Sequence, residues 1–242
     1  MKGWIAAGGA VAGFAALHHA GSRWGATAEE LVTPMPGDEL VIDPKTRTMH
    51  AITIGAPPED VWPWLVQMGY HRAGWYTYPW VDRYLWHIEN PSADTVIDDL
   101  QTLTVGDVVP DGEPGTAYYV VAEIDPPHTL VLRSTTHVPE PLRGRMWIDW
   151  TWAFSLTPDG DGRTRVRVAV RATYGPWWAR PLMEGLVVPS DFVMARSMLR
   201  GLRRRVEGRP TRGDRTDAAR RLAATLVEDE RSTTETNGPL LG

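Results

Sequence analysis

The chain has no cysteine among its 242 residues, which excludes a disulfide framework, a thiol nucleophile and any zinc site built on thiolates. Lysine is nearly absent too. Only Lys2 and Lys45 stand among 25 basic side chains, a bias that reads as codon usage of a GC-rich gene before any demand for guanidinium chemistry. A net charge of −5 leaves no overall footprint for nucleic acid, so no nucleic-acid partner is expected. The apolar N-terminal run, residues 3–17, ends at His18 and His19, short of the roughly 20 residues that a spanning helix needs. Phenylalanine is also scarce, with three residues against twelve tryptophans. A core that only had to be filled would use fewer indoles, because each buried indole N–H needs a partner.

What is present reads as one globular body with extensions, at 43% apolar and 23% charged residues. Residues 1–46 form an apolar segment and a linker, residues 47–207 the folded domain, and residues 208–242 a polar, mobile tail. A cytoplasmic location is expected. Membrane association through residues 3–17 is a variant of that reading, suggested by the small-xxx-small pair Gly9 and Gly13, and a packing helix is the plain alternative. Residues 47–54 alternate as a strand, with Met49, Ala51 and Thr53 on one face and His50, Ile52 and Ile54 on the other. Pro57, Pro58, Glu59 and Asp60 then open a short helix that Gly69 stops and Pro63 bends. Pro79 opens a second short helix over 80–86, and residues 87–106 read as a long loop. Strands follow at 117–124, 129–134, 146–156 and 164–174. The last places Val166, Val168, Val170 and Ala172 on a dry face and Arg165, Arg167 and Arg171 on a wet one. The turn at 158–162 between the last two is a hairpin turn, lacking the further ligands of a calcium loop. After Gly175-Pro176 the period becomes helical through Leu182, Leu186, Phe192, Ala195, Leu199, Leu202 and Val206, with a break near Pro189. This order predicts an α+β fold: a curved antiparallel sheet wrapped on a long C-terminal helix, with two short helices after the first strand.

Several motifs carry a family resemblance. Residues 54–69, IGAPPEDVWPWLVQMG, the segment Arg72-Ala73-Gly74-Trp75-Tyr76, the triplet Val105-Gly106-Asp107 and a Met-rich closing helix resemble the START/Bet v1-like superfamily. Within it, they are similar to the bacterial polyketide cyclase/dehydrase-type group of SRPBCC proteins. The resemblance covers about residues 47–207. It implies a helix-grip fold and an internal cavity for lipids, polyketides or other apolar molecules, and it transfers no catalytic residue.

The candidate ligand contacts follow from the aromatic positions. Trp75, Tyr76, Tyr78 and Trp80 can line the mouth of a pocket, with packing between helix and sheet as the alternative. Trp150, Trp152 and Phe154 share a strand face that should meet Val168 on the next strand. For proton transfer the candidates are His71, Asp82 and His87, with Arg72 and Glu89 nearby, each also readable as a solvated polar residue. No Ser-His-Asp order, HExxH motif or paired carboxylate is present, and no metal or cofactor is expected. Three functions remain open. The chain binds or carries a hydrophobic small molecule, or it is a cyclase/dehydrase-type enzyme acting on a polyketide-like substrate, or it is a membrane-tethered interaction protein.

Overall fold

The computed structural model describes residues 13–16, 18–78 and 92–208. The helix expected at 80–86, most of the apolar run 3–17 and the tail beyond Gly208 lie outside the described residues. Among those described, no helix is long and apolar enough to cross a membrane.

Six antiparallel strands form one sheet in the order β1-β6-β5-β4-β3-β2: β1 (Thr46–Ile54), β2 (Val108–Pro110), β3 (Tyr118–Asp125), β4 (Thr129–Ser134), β5 (Trp147–Pro158) and β6 (Thr164–Gly175). Five of these match the alternating runs in the sequence. The three residues of β2 are too few to show a period, and only their pairing with Tyr118–Val120 reveals them. A register shift between Val121 and Glu123 breaks the β3–β4 ladder, and such bulges bend and twist the sheet locally.

The concave face is closed by α1 (Pro58–Val66) and by a C-terminal helical run of α2 (Ala179–Leu182), a π segment (Met183–Val187) and α3 (Val188–Val206). The expected break near Pro189 takes the form of that π segment. Proline has no N–H to bond back and its ring crowds the carbonyl four residues earlier, and a wider turn relieves both. Ile52, Ile54, Phe154, Val166 and Val168 of the sheet pack with Met198, Leu199 and Leu202 of α3. This is the helix-grip architecture that the family resemblance implied.

The convex face differs from expectation. It is not wet, because residues 22–41 lie across it and bury Met35 against Met49, Val131, Ala153 and Ala169. Two of the three arginines of β6 meet carboxylates there. Arg165 forks onto Glu30 at 2.7 and 2.8 Å, and Arg171, only 7% exposed, pairs with Asp38 at 2.9 Å. The same arm covers the free edge of β1: Met49 N–H donates to Ser22 O at 2.8 Å and Ala51 N–H to Trp24 O at 3.0 Å. An uncovered edge would be a template for pairing with another chain. Gly25 permits the approach, since a Cβ there would sit 2.0 Å from Ala51 O, and its φ of +78° favours glycine.

The Glu30–Arg165 fork makes the arm sensitive to acid. Hydrogen bonds from Arg165 hold the Glu30 carboxyl at about 2, below the glutamate value of about 4.3 in an unfolded chain. A depressed carboxyl stabilises the fold above the unfolded pKa, and that contribution is lost as pH falls through the folded one. Glu30→Gln is therefore expected to cost about 1–2 kcal/mol at pH 7, and the gap to wild type should close between about pH 4.3 and 2. Urea unfolding of both proteins across that pH range measures it, and a gap independent of pH would contradict it.

Candidate functional site

The interior wall is set by register. Three cross-strand rows run over the concave face: Thr46, Ala172, Trp150 and Ser134; then Thr48, Val170, Trp152 and Leu132; then His50, Val168, Phe154 and Leu130. Side chains of one row point the same way because the pleat alternates with period two. Trp150, Trp152 and Phe154 thus share the concave face with Val168, as the alternation of β5 predicts. Above them the loop after α1 lowers Trp75 onto the sheet.

The rings interlock. Trp75 lies 5.3 Å from Trp152 and 6.2 Å from Tyr119, Trp152 lies 5.0 Å from Phe154, and Tyr119 stacks on Trp150 at 6.0 Å and 12°. Trp75 and Trp152 are each 3% exposed. Tilted and edge contacts of this kind add roughly 0.5–1.5 kcal/mol per pair beyond area burial. The indole N–H groups of Trp75, Trp150 and Trp152 are all buried, and none has a hydrogen-bond partner among the described residues.

Polar groups border this wall at two places. At one, Asp191 at the start of α3 accepts from Thr48 Oγ1 and contacts His50 Nε2, both at 3.0 Å, and His50 is wholly buried with its Nδ1 unpartnered among the described residues. At the other, His137 stands 4.6 Å from the Tyr119 ring and 4.8 Å from Trp150, with Nε2 at 2.8 Å from Asp111 and Nδ1 at 2.7 Å from Ser134 Oγ. Ser134 Oγ also lies 2.7 Å from Tyr118 O and accepts from Thr136 N at 3.1 Å. Its role is to pin the turn after β4 to β3. Burial, then the nearby carboxylates of Asp111 and Asp191, push the Tyr119 phenol well above its ordinary value, so it stays a neutral hydroxyl.

The other sequence candidates divide. Tyr76 is buried with its hydroxyl committed: it donates to Trp64 O at 2.9 Å and accepts from Gln67 Nε2 at 2.8 Å. Burial raises its pKa, and Arg205 caps its ring at 4.7 Å. Tyr76 fastens the loop, together with Arg205 Nε donating to Ala93 O at 2.7 Å. Tyr78 lies under the Arg204 guanidinium at 5.8 Å. His71 is exposed in a turn beside Tyr70, and Arg72 turns inward to donate to the carbonyls of Val66 and Met68. Trp80, Asp82, His87 and Glu89 lie outside the described residues. Among the described residues, no three histidines or carboxylates cluster closely enough to hold a metal ion.

The interior histidines, His50 and His137, were not among the sequence candidates. For His50 a signal existed, since an imidazole sits in the dry-face alternation of β1 beside Ile52 and Ile54. For His137 none did, because its partners come from a loop 26 residues away and from a turn without periodicity.

No family model matches the chain, and no curated protein sequence matches it. Solved structures similar to it include a protein from Mesorhizobium loti with 16% identity and a TM-score of 0.42, covering 69% of this chain and 100% of that one. Another, from Helicobacter pylori, has 12% identity and a TM-score of 0.44 over 71% of this chain and 94% of that one. A point mutant of norcoclaurine synthase from Thalictrum flavum, in complex with a transition-state analogue, has 14% identity and a TM-score of 0.36 over 65% and 93%. These likenesses assign no residue a role.

Proposed function

We propose that the concave face binds an apolar small molecule that carries hydrogen-bond acceptors, held against the aromatic cluster of Trp75, Trp150, Trp152 and Phe154. The observation that carries this reading is the set of three buried indole N–H groups with no partner among the described residues. A buried donor left unmet costs about 1–3 kcal/mol, so three in one cluster call for an acceptor. A ligand carbonyl or ether oxygen supplies one, while the ring faces supply apolar area.

Native mass spectrometry of the purified full chain, with organic extraction of any adduct, is the first test. Titration with 8-anilino-1-naphthalenesulfonate and with polycyclic ketones, followed by tryptophan fluorescence, is the second. Trp150→Phe and Trp152→Phe are each expected to weaken ketone binding about fivefold, the cost of one neutral hydrogen bond. A chain that carries no adduct and shows no saturable ketone binding would overturn the reading.

A second reading, proton transfer in a cyclase or dehydrase type of enzyme, is favoured by one observation: the His50–Asp191 pair on the same concave face. In that case His50→Asn abolishes turnover while ligand binding survives.

A further inference from the structure

The cover over the β1 edge stops short. Alternate residues of a strand turn their N–H groups to the same side, so Arg47 N–H faces the same edge as Met49 and Ala51, one step beyond Ser22. Among the described residues nothing accepts from it. At that point the helical residues 18–21, the start of β1 and the π segment enclose a cleft of about 330 Å³, at the lower end of the range for small-molecule sites.

Its charge is one-sided. His18, His19, Arg23, Lys45 and Arg47 line it against the single carboxylate of Glu184. That carboxylate is already engaged, accepting from Thr46 Oγ1 at 2.8 Å and pairing with His18 Nε2 at 3.1 Å. Lys45 Nζ donates to Tyr174 O. Arg23 and Arg47 have no carboxylate partner among the described residues. Two unpaired guanidinium groups and a free main-chain N–H around one cleft, on a chain of net charge −5, form a local site for an anion.

We propose that this cleft binds a phosphate group, with Arg23, Arg47 and the Arg47 N–H as its donors. A phosphate monoester suits them better than a carboxylate, since its three terminal oxygens accept from several directions at once. The group can belong to a soluble phosphorylated molecule or to the headgroup of phosphatidic acid. The site lies at the β1 edge, lined by none of Trp75, Trp150, Trp152 and Phe154, and its fate does not depend on the reading given for those residues.

Isothermal titration of the full chain with inorganic phosphate, against chloride at matched ionic strength, tests it. Sedimentation with phosphatidylcholine vesicles, with and without phosphatidic acid, distinguishes the two sources. Saturable binding of either probe is expected, weakened tenfold or more by Arg23→Ala and by Arg47→Ala. Arg163→Ala, in the β5–β6 turn, should leave it unchanged. Thermal unfolding of each variant checks that the fold is intact, and Arg23→Gln repeats the measurement if the alanine variant is unstable. Absence of saturable binding to both probes, or wild-type binding in the folded Arg23 and Arg47 variants, overturns the proposal.

Discussion

Gly201→Ala is expected to lower stability by about 3 kcal/mol or more, although alanine is the better helix former by about 1 kcal/mol. The clash decides the sign. A Cβ at Gly201, within α3, would sit 1.8 Å from Tyr76 O and 2.9 Å from Tyr76 C, both backbone atoms. Tyr76 cannot step aside, since its hydroxyl is bonded to Trp64 O and Gln67 and its N–H donates to Ser92 Oγ at 3.0 Å. The helix must therefore tilt away or the loop must lift, and lifting it unpacks Trp75 from Trp152. For a chain of this length the loss corresponds to roughly 6–12 °C in Tm. Gly185→Ala in the π segment is the control. Nothing lies within 4 Å of a Cβ there, so it should be neutral or stabilise by up to about 1 kcal/mol. Thermal and urea unfolding of the two variants measure the contrast, and equal stabilities would refute this account of the loop–helix contact.

Asp191→Ala should cost about 3 kcal/mol, the next largest effect. One carboxylate oxygen serves two buried groups, Thr48 Oγ1 and His50 Nε2. Truncation leaves both unmet, and each unmet buried polar atom costs about 1–3 kcal/mol. His50 has no second partner among the described residues, because its Nδ1 is already unmet. Asp191→Asn keeps an oxygen acceptor of nearly the same shape, and its loss should stay near 1 kcal/mol. A urea series on the two variants reads the difference. If alanine proved no worse than asparagine, the hydrogen bonds of Asp191 would not be what holds His50 in place.

How much of the site was legible depends on the distance over which a pattern acts. Trp150, Trp152 and Phe154 could be assigned to one face with Val168 because strand alternation is local and β5 and β6 are joined by a tight turn. Tyr76 could not be separated from Trp75 by sequence. The two are neighbours, yet Trp75 packs on the sheet while Tyr76, with φ of 57°, turns its ring towards Trp64 and Arg205. His50 stood in plain view within an apolar alternation, but its partner Asp191 lies 141 residues away.

The strand and helix periods, the proline-opened α1, the turn at 158–162 and the distortion before Pro189 were readable from the residues, because each follows from backbone sterics or from side-chain spacing within a few residues. Long-range packing settled that the face patterned for water is covered, how the β1 edge is closed and where the polar groups meet. Glu30 reaches Arg165 across 135 positions and Asp38 reaches Arg171, turning a face patterned for water into a covered one. An arginine in a strand has the same period whether water or a carboxylate receives it. Only the path of residues 22–41 over the convex face settles which one does.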